Sequence, residues 1–205
     1  MRNILYILFF MVVGVNAQTK MSTSESAILK AKVKAQATTI NTLLSEFTQY
    51  KHLDFLSKDI VTSGKLAFKS SNMVKWEYVT PFKYSVLFKN KMLFINYEGK
   101  KTNIDIGSNK LLKQLNNLVI KSVKGDMFDE NEFDITYFKK GANSEVHFSP
   151  KDKNFSKYIK TFHITFDIEG DVVELKMIES SEDYTRIVFN NRTVNIILPD
   201  AIFTQ

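Results

Sequence analysis

Gly64-Lys65-Leu66-Ala67-Phe68-Lys69, Met73-Val74-Lys75-Trp76-Glu77-Tyr78, Tyr84-Ser85-Val86-Leu87-Phe88-Lys89 and Met92-Leu93-Phe94-Ile95-Asn96-Tyr97 follow one another along the chain. In each segment apolar and polar residues alternate and the apolar ones are mostly large, the mark of strands with one buried face. Ser70-Ser71-Asn72, Thr80-Pro81 and Lys89-Asn90-Lys91 supply turn chemistry between them. The stretch reads as a curved antiparallel sheet with one apolar face. What that face covers is the functional question.

Toward the N-terminus, Ser22 to Thr38 reads as a helix: Ser22 or Ser24 can cap, Glu25 sits in the first turn, and Ile28, Ala31, Ala35 and Thr38 form a stripe. The stripe is weak and small, which suits a cover better than a core. Leu43 to His52 then turns extended. Beyond Tyr97 the period changes, and Ser108 can cap a helix carrying Leu111, Leu112, Leu115, Leu118 and Val119, a second cover. Strands return at Phe133–Phe138, Glu145–Phe148, Phe162–Asp167, Val172–Ile178, Tyr184–Phe189 and Thr193–Ile197, with Gly141-Ala142-Asn143, Glu169-Gly170-Asp171 and Asn190-Asn191 as hairpin turns. The count is about eleven strands. Helices are few and do not alternate with strands, which disfavours a parallel sheet.

The first 17 residues read as an export signal: Met1-Arg2-Asn3 is a positive n-region, Ile4 to Val13 an apolar core, and Val15-Asn16-Ala17 precedes a cut after Ala17. The apolar run is half the roughly 20 residues a membrane-spanning helix needs. No cysteine follows it, so the thiol required for bacterial lipid attachment is missing. Residues 18–205 are expected to form one domain in a bacterial envelope compartment, held by its core without disulfides. The formal net charge is +6, but the lysines are scattered and form no basic stripe interleaved with stacking aromatics, so nucleic acid is not expected as a partner. An anionic membrane surface or an acidic protein fits better, beside the plainer reading that a modest net charge of this size only serves solubility.

Catalytic chemistry is thin. His52, His147 and His163 lack metal-ligand spacing; the last two can meet on nearby strands, but no third ligand or nucleophile stands beside them. Asp126, Asp129, Glu130, Glu132 and Asp134 lack the central glycine and ligand order of an EF-hand and read as a solvated turn. No phosphate loop, nucleophile elbow or Cys-x-x-Cys occurs. The chain is therefore expected to be neither an enzyme nor a cofactor binder. Aromatic residues are in excess instead, with 17 Phe and 8 Tyr.

Phe47-Thr48-Gln49, Gly64-x-Leu66 with Lys69, Trp76-x-Tyr78-x-x-Pro81 and Leu93-Phe94-x-x-Tyr97 lie in an order that resembles the LolA family of periplasmic outer-membrane lipoprotein carriers. Val146-x-Phe148-Ser149-Pro150-Lys151, Phe162-x-Ile164 and Ile197-Leu198-Pro199 with Phe203 continue the match, which spans roughly Ser22 to Phe203. The resemblance implies an unclosed antiparallel β-barrel of about eleven strands with a helical lid over an apolar cavity for lipoprotein acyl chains. It implies two handovers, from an inner-membrane LolCDE-type exporter and to an outer-membrane acceptor, in the periplasm. On that pattern Trp76 is a cavity-wall aromatic and Val74 an apolar contact for the exporter. The arginine-proline pair that locks the family's lid is replaced here by Ser70 and Ser71, which implies a looser lock or one moved to Lys69.

Alternation then assigns Leu66 and Phe68, and Val74, Trp76 and Tyr78, to the cavity, with Phe47, Leu87 and Phe94 adding wall. Leu111, Leu115 and Leu118 close it from the lid, helped by Ile28. Two other readings stand beside this one: the same container for a different hydrophobic ligand, such as a free lipid or a pigment precursor, and a sandwich whose aromatics only fill a core.

Overall fold

A computed structural model of the chain describes residues 18–70, 72–108, 113, 120–122 and 124–204. The expected signal, Ser71, Leu111, Leu115 and Leu118 lie outside these residues. The strands are β1 (Thr19–Lys20), β2 (Thr42–His52), β3 (Ile60–Lys69), β4 (Met73–Thr80), β5 (Tyr84–Lys89), β6 (Met92–Tyr97), β7 (Lys100–Asp105), β8 (Phe133–Lys140), β9 (Asn143–Pro150), β10 (Ile159–Phe166), β11 (Val172–Glu179) and β12 (Tyr184–Val194). They form one 12-stranded antiparallel sheet in the order β1-β8-β9-β10-β11-β12-β2-β3-β4-β5-β6-β7, not closed into a barrel. Helix α1 (Thr23–Thr38) lies across one face, the inner face, and 3-10 turns occur at Ile106–Ser108 and Asp200–Phe203.

The alternating stretch forms β3 to β6, as its period requires. Two expectations about strands change. The count rises because β1 and β7 are strands; β7 reads Lys-Lys-Thr-Asn-Ile-Asp and is almost wholly exposed, as polar, lysine-bearing edges are, so it shows no apolar alternation. The segments expected at 184–189 and 193–197 are largely one strand, β12, and Asn190-Asn191 is a bulge inside its pairing with β2, with Asn191 at φ 51°.

Ser22 caps α1 in a capping box with Glu25, as the sequence predicts. The buried stripe of α1 is Leu29, Val33 and Ala37, not the expected one: Ile28 is 65% exposed, and Ala31, Ala35 and Thr38 face solvent. The inner face carries two core clusters. One joins Leu29 and Val33 to Met127, Phe133, Val146, Phe148, Phe162, Ile164 and Phe166; the other gathers Leu43, Phe47, Leu66, Phe68, Val74 and Ile187. On the outer face the C-terminal segment lays Leu198 and Phe203 against Ala67 and Leu87.

Candidate functional site

The register of the sheet decides which side chains look inward. Leu43 pairs with Phe68, Phe68 with Val74, and Val74 with Phe88; Ser45 pairs with Leu66, Leu66 with Trp76, and Trp76 with Val86. Directly opposed residues share a face, so these rows continue around the inside. Phe47 stands opposite Gly64 and Phe189. A side chain at Gly64 has no room, since its Cβ would lie 2.9 Å from Phe47 Cζ and 2.0 Å from the Glu77 carbonyl oxygen. The empty place lets Phe47 lie against Trp76 and Tyr78, edge-on, with ring centroids 5.1 Å apart in both pairs. Trp76 in turn meets Phe189 at 6.0 Å. Tyr78 donates its hydroxyl hydrogen to Gln49 Oε1 at 3.0 Å, and burial pushes its pKa up to about 12, so it stays neutral in this wall.

Between the two inner clusters, which share Leu175 at their border, an apolar cavity of about 130 Å³ remains. Leu43, Leu66, Trp76 and Phe189 line one side; Ile164, Val172 and Leu175 line the other. Val33, Gln36, Ala37 and the following Ile40 roof it. Two of its polar side chains are tied down. Ser45 Oγ donates to the carbonyls of Glu46 and Asn190, and Arg192 pairs with Asp171 at the rim.

Above the buried stripe of Leu29, Val33 and Ala37, exposed pairs fasten the roof at its surface. Lys30 pairs with Glu130 at 3.2 Å, Lys34 with Asp126, Lys139 with Glu25, and Lys32 Nζ donates to the Ile168 carbonyl at 2.9 Å. Exposed pairs of this kind contribute about 0–1 kcal/mol each. Two turns approach α1 through glycines in the left-handed region, Gly125 at φ +69° and Gly170 at φ +91°. The acidic run expected as a solvated turn is the rim that holds α1: Asp126 and Glu130 take its lysines, while Lys121 pairs with Asp129 and Glu132. Between these acids Met127 is fully buried, and Phe128 packs against Tyr137, Phe148 and Phe166 with centroids 5.9–6.1 Å apart.

Of the expected wall residues, Leu66 and Trp76 line the cavity, and Phe47, Phe68 and Tyr78 pack in the cluster behind them. Leu87 and Phe94 do not belong to it. Leu87 pairs with Lys75 and Phe94, one step out of phase with Trp76, so both point to the outer face and pack with Leu198 and Phe203. Val74, expected to face an exporter, is 0% exposed and offers no surface in this state. Lys69, where a moved lock was expected, pairs among the described residues with Asp200 of the C-terminal segment at 2.6 Å. Sequence reasoning missed Val33, Ile164, Leu175, Phe189 and Arg192. The signal for the strand residues was the pairing of strands distant in sequence, and for Arg192 the bulge that turns β12 beside Asp171.

A family model described as "Outer membrane lipoprotein carrier protein LolA" matches residues 38–205. Among solved structures, a LolA superfamily protein from Nitrosomonas europaea aligns at 10% identity over 90% of this chain and 99% of its own, with a TM-score of 0.45. MucB aligns at 10% identity over 90% of this chain and 64% of its own, with a TM-score of 0.53, so the chain spans about two thirds of that protein. The Pseudomonas aeruginosa MucA/MucB complex aligns at 9% identity over 88% of this chain and 61% of that one, with a TM-score of 0.50. No curated protein matches.

Proposed function

The chain belongs to the LolA family, and from that premise we propose that it is a periplasmic carrier. It shelters the acyl chains of lipoproteins under α1 and takes them from an inner-membrane exporter of the LolCDE type to an outer-membrane acceptor. It performs no chemistry on its cargo. The observation that carries the reading is the apolar cavity between Trp76, Leu175 and the Val33–Ala37 roof, which is held by a short buried stripe and a rim of exposed ion pairs.

The cavity as it stands is too small for an acyl chain. At about 130 Å³ it is close to the roughly 150 Å³ cavity that admits one benzene ring. Loading therefore requires α1 to lift. Lifting exposes Leu29, Val33 and Ala37, a penalty of roughly 5 kcal/mol if the two larger side chains cost about 1.5–3 kcal/mol each. Sheltering a chain of about 16 carbons returns on the order of 12 kcal/mol at about 0.8 kcal/mol per methylene. Cargo can thus open its own container, and release refills the space with the helix.

Mass spectrometry of material co-purified with the chain from envelope extracts tests the reading. Acylated lipoprotein is the expected cargo. Free lipid or a pigment precursor would transfer the container to another hydrophobic ligand, and a preparation without any lipid would contradict carriage.

A further inference from the structure

The chain has three histidines, and two of them face each other on the outer side of the sheet. His147 of β9 stands opposite His163 of β10, with the rings stacked 3.5 Å apart between centroids and 7° from parallel. Their chain neighbours Val146, Phe148 and Ile164 are buried in the inner core, so alternation turns both imidazoles outward. Glu145, two residues before His147, shares that face and is nearly buried. Its Oε1 lies 2.8 Å from His147 Nε2.

We propose that Glu145, His147 and His163 form a binding site for a divalent first-row transition ion, with zinc the best match. One ligand atom from each residue can be chosen so that all three lie within 4.8 Å of one another. Two imidazoles and a carboxylate are an established zinc donor set, with bonds of about 2.0–2.2 Å and a fourth position left to water. The third ligand that the spacing of the histidines does not offer is supplied by strand alternation.

Closure around a metal requires modest movement. Stacked rings direct their in-plane lone pairs side by side, so one or both must tilt toward a common point; the imidazole χ2 torsion is broad and permits this. The His163 imidazole makes no hydrogen bond among the described residues, so its turning gives up only the stack on His147. Glu145 is already held by Lys140, by Gln18 Nε2 at 2.7 Å from Oε1 and by Thr165 Oγ1 at 3.4 Å from Oε2. Such partners orient a ligating carboxylate from behind. An ion that takes Oε1 competes with Gln18, and one that takes Oε2 competes with Lys140. Because the ligands sit on paired strands of the half-sheet that backs α1, the ion would staple β9 to β10.

The test is equilibrium dialysis and calorimetry of the full chain without a histidine tag, using zinc chloride, together with the visible spectrum of the cobalt(II)-loaded protein. One zinc per chain, a raised Tm and the intense absorption of tetrahedral cobalt are expected. His163→Ala and, as a second variant, His147→Gln should each weaken zinc binding at least about tenfold and abolish the cobalt band, while His52→Ala leaves both unchanged. Each variant's circular dichroism establishes that it is folded. Absence of saturable zinc binding, or affinity unchanged in folded His163→Ala and His147→Gln, overturns the proposal.

Discussion

Replacing Leu175 by Phe places three more carbons into the cavity beneath α1, because Leu175 faces that space from β11 between Ile164 and Ile187. Filling that space with three carbons recovers about 2 kcal/mol, and overpacking strain of about 1–3 kcal/mol opposes this, so stability stays within about 1 kcal/mol of the wild type. Cargo loses the same space. Three displaced methylenes weaken binding by about 2 kcal/mol, roughly 30-fold. Guanidinium denaturation measures the first quantity, and titration with a triacylated lipopeptide measures the second. Leu87→Ala is the control, because Leu87 packs on the outer face against Leu198 and Phe203. It should cost about 2–5 kcal/mol of stability and leave the affinity of the folded protein intact. Unchanged affinity in Leu175→Phe with weakened affinity in Leu87→Ala would refute the placement of the cavity.

Gly125→Ala would put a Cβ 2.9 Å from Ala37 Cβ and 3.0 Å from the Val33 carbonyl oxygen, in a left-handed backbone conformation. It should destabilise by about 1–3 kcal/mol and speed hydrogen exchange in α1 more than in β9 or β10. Val74→Thr buries a hydroxyl in an apolar cluster and should cost about 1–3 kcal/mol; if Val74 instead served only as a partner contact, stability would hold and transfer alone would fall. The Lys139 ammonium, and then the Ser22 backbone and hydroxyl, hold the Glu25 carboxyl at about 2, below its ordinary 4.5. A lowered folded pKa favours the ionised form in the native state. This contribution to the first turn of α1 is therefore complete above pH 4.5 and fades as pH falls toward 2. Hydrogen exchange at the start of α1 should accelerate across that window in the wild type and not in Glu25→Gln.

Legibility followed contrast in the sequence. β3 and β4 were readable because lysine, glutamate and aromatics alternate there without ambiguity. In Tyr84–Lys89 the run Val86-Leu87-Phe88 is apolar on both parities, and only the pairing of Trp76 with Val86 shows that Leu87 points outward. The cap of α1 was legible from Ser22 and Glu25, since capping is local chemistry. Its buried stripe was not: Ile28 with Ala31 and Ala35, or Leu29 with Val33 and Ala37, fit helical spacing about equally, and the choice is made by the turns that press Gly125 and Gly170 against the second set. β1 and β7 escaped notice because an exposed edge needs no apolar face. The Glu145–His147–His163 cluster became visible only when β9 was placed beside β10.

Trp76 is the only tryptophan in the chain and lines the cavity, so intrinsic fluorescence reports on that one place. Titration with a triacylated lipopeptide and, separately, with the same peptide lacking its acyl chains tests carriage most directly. A saturable change in Trp76 emission with the acylated form alone is the predicted result. No response to either peptide, or equal responses to both, would contradict a cavity that receives acyl chains.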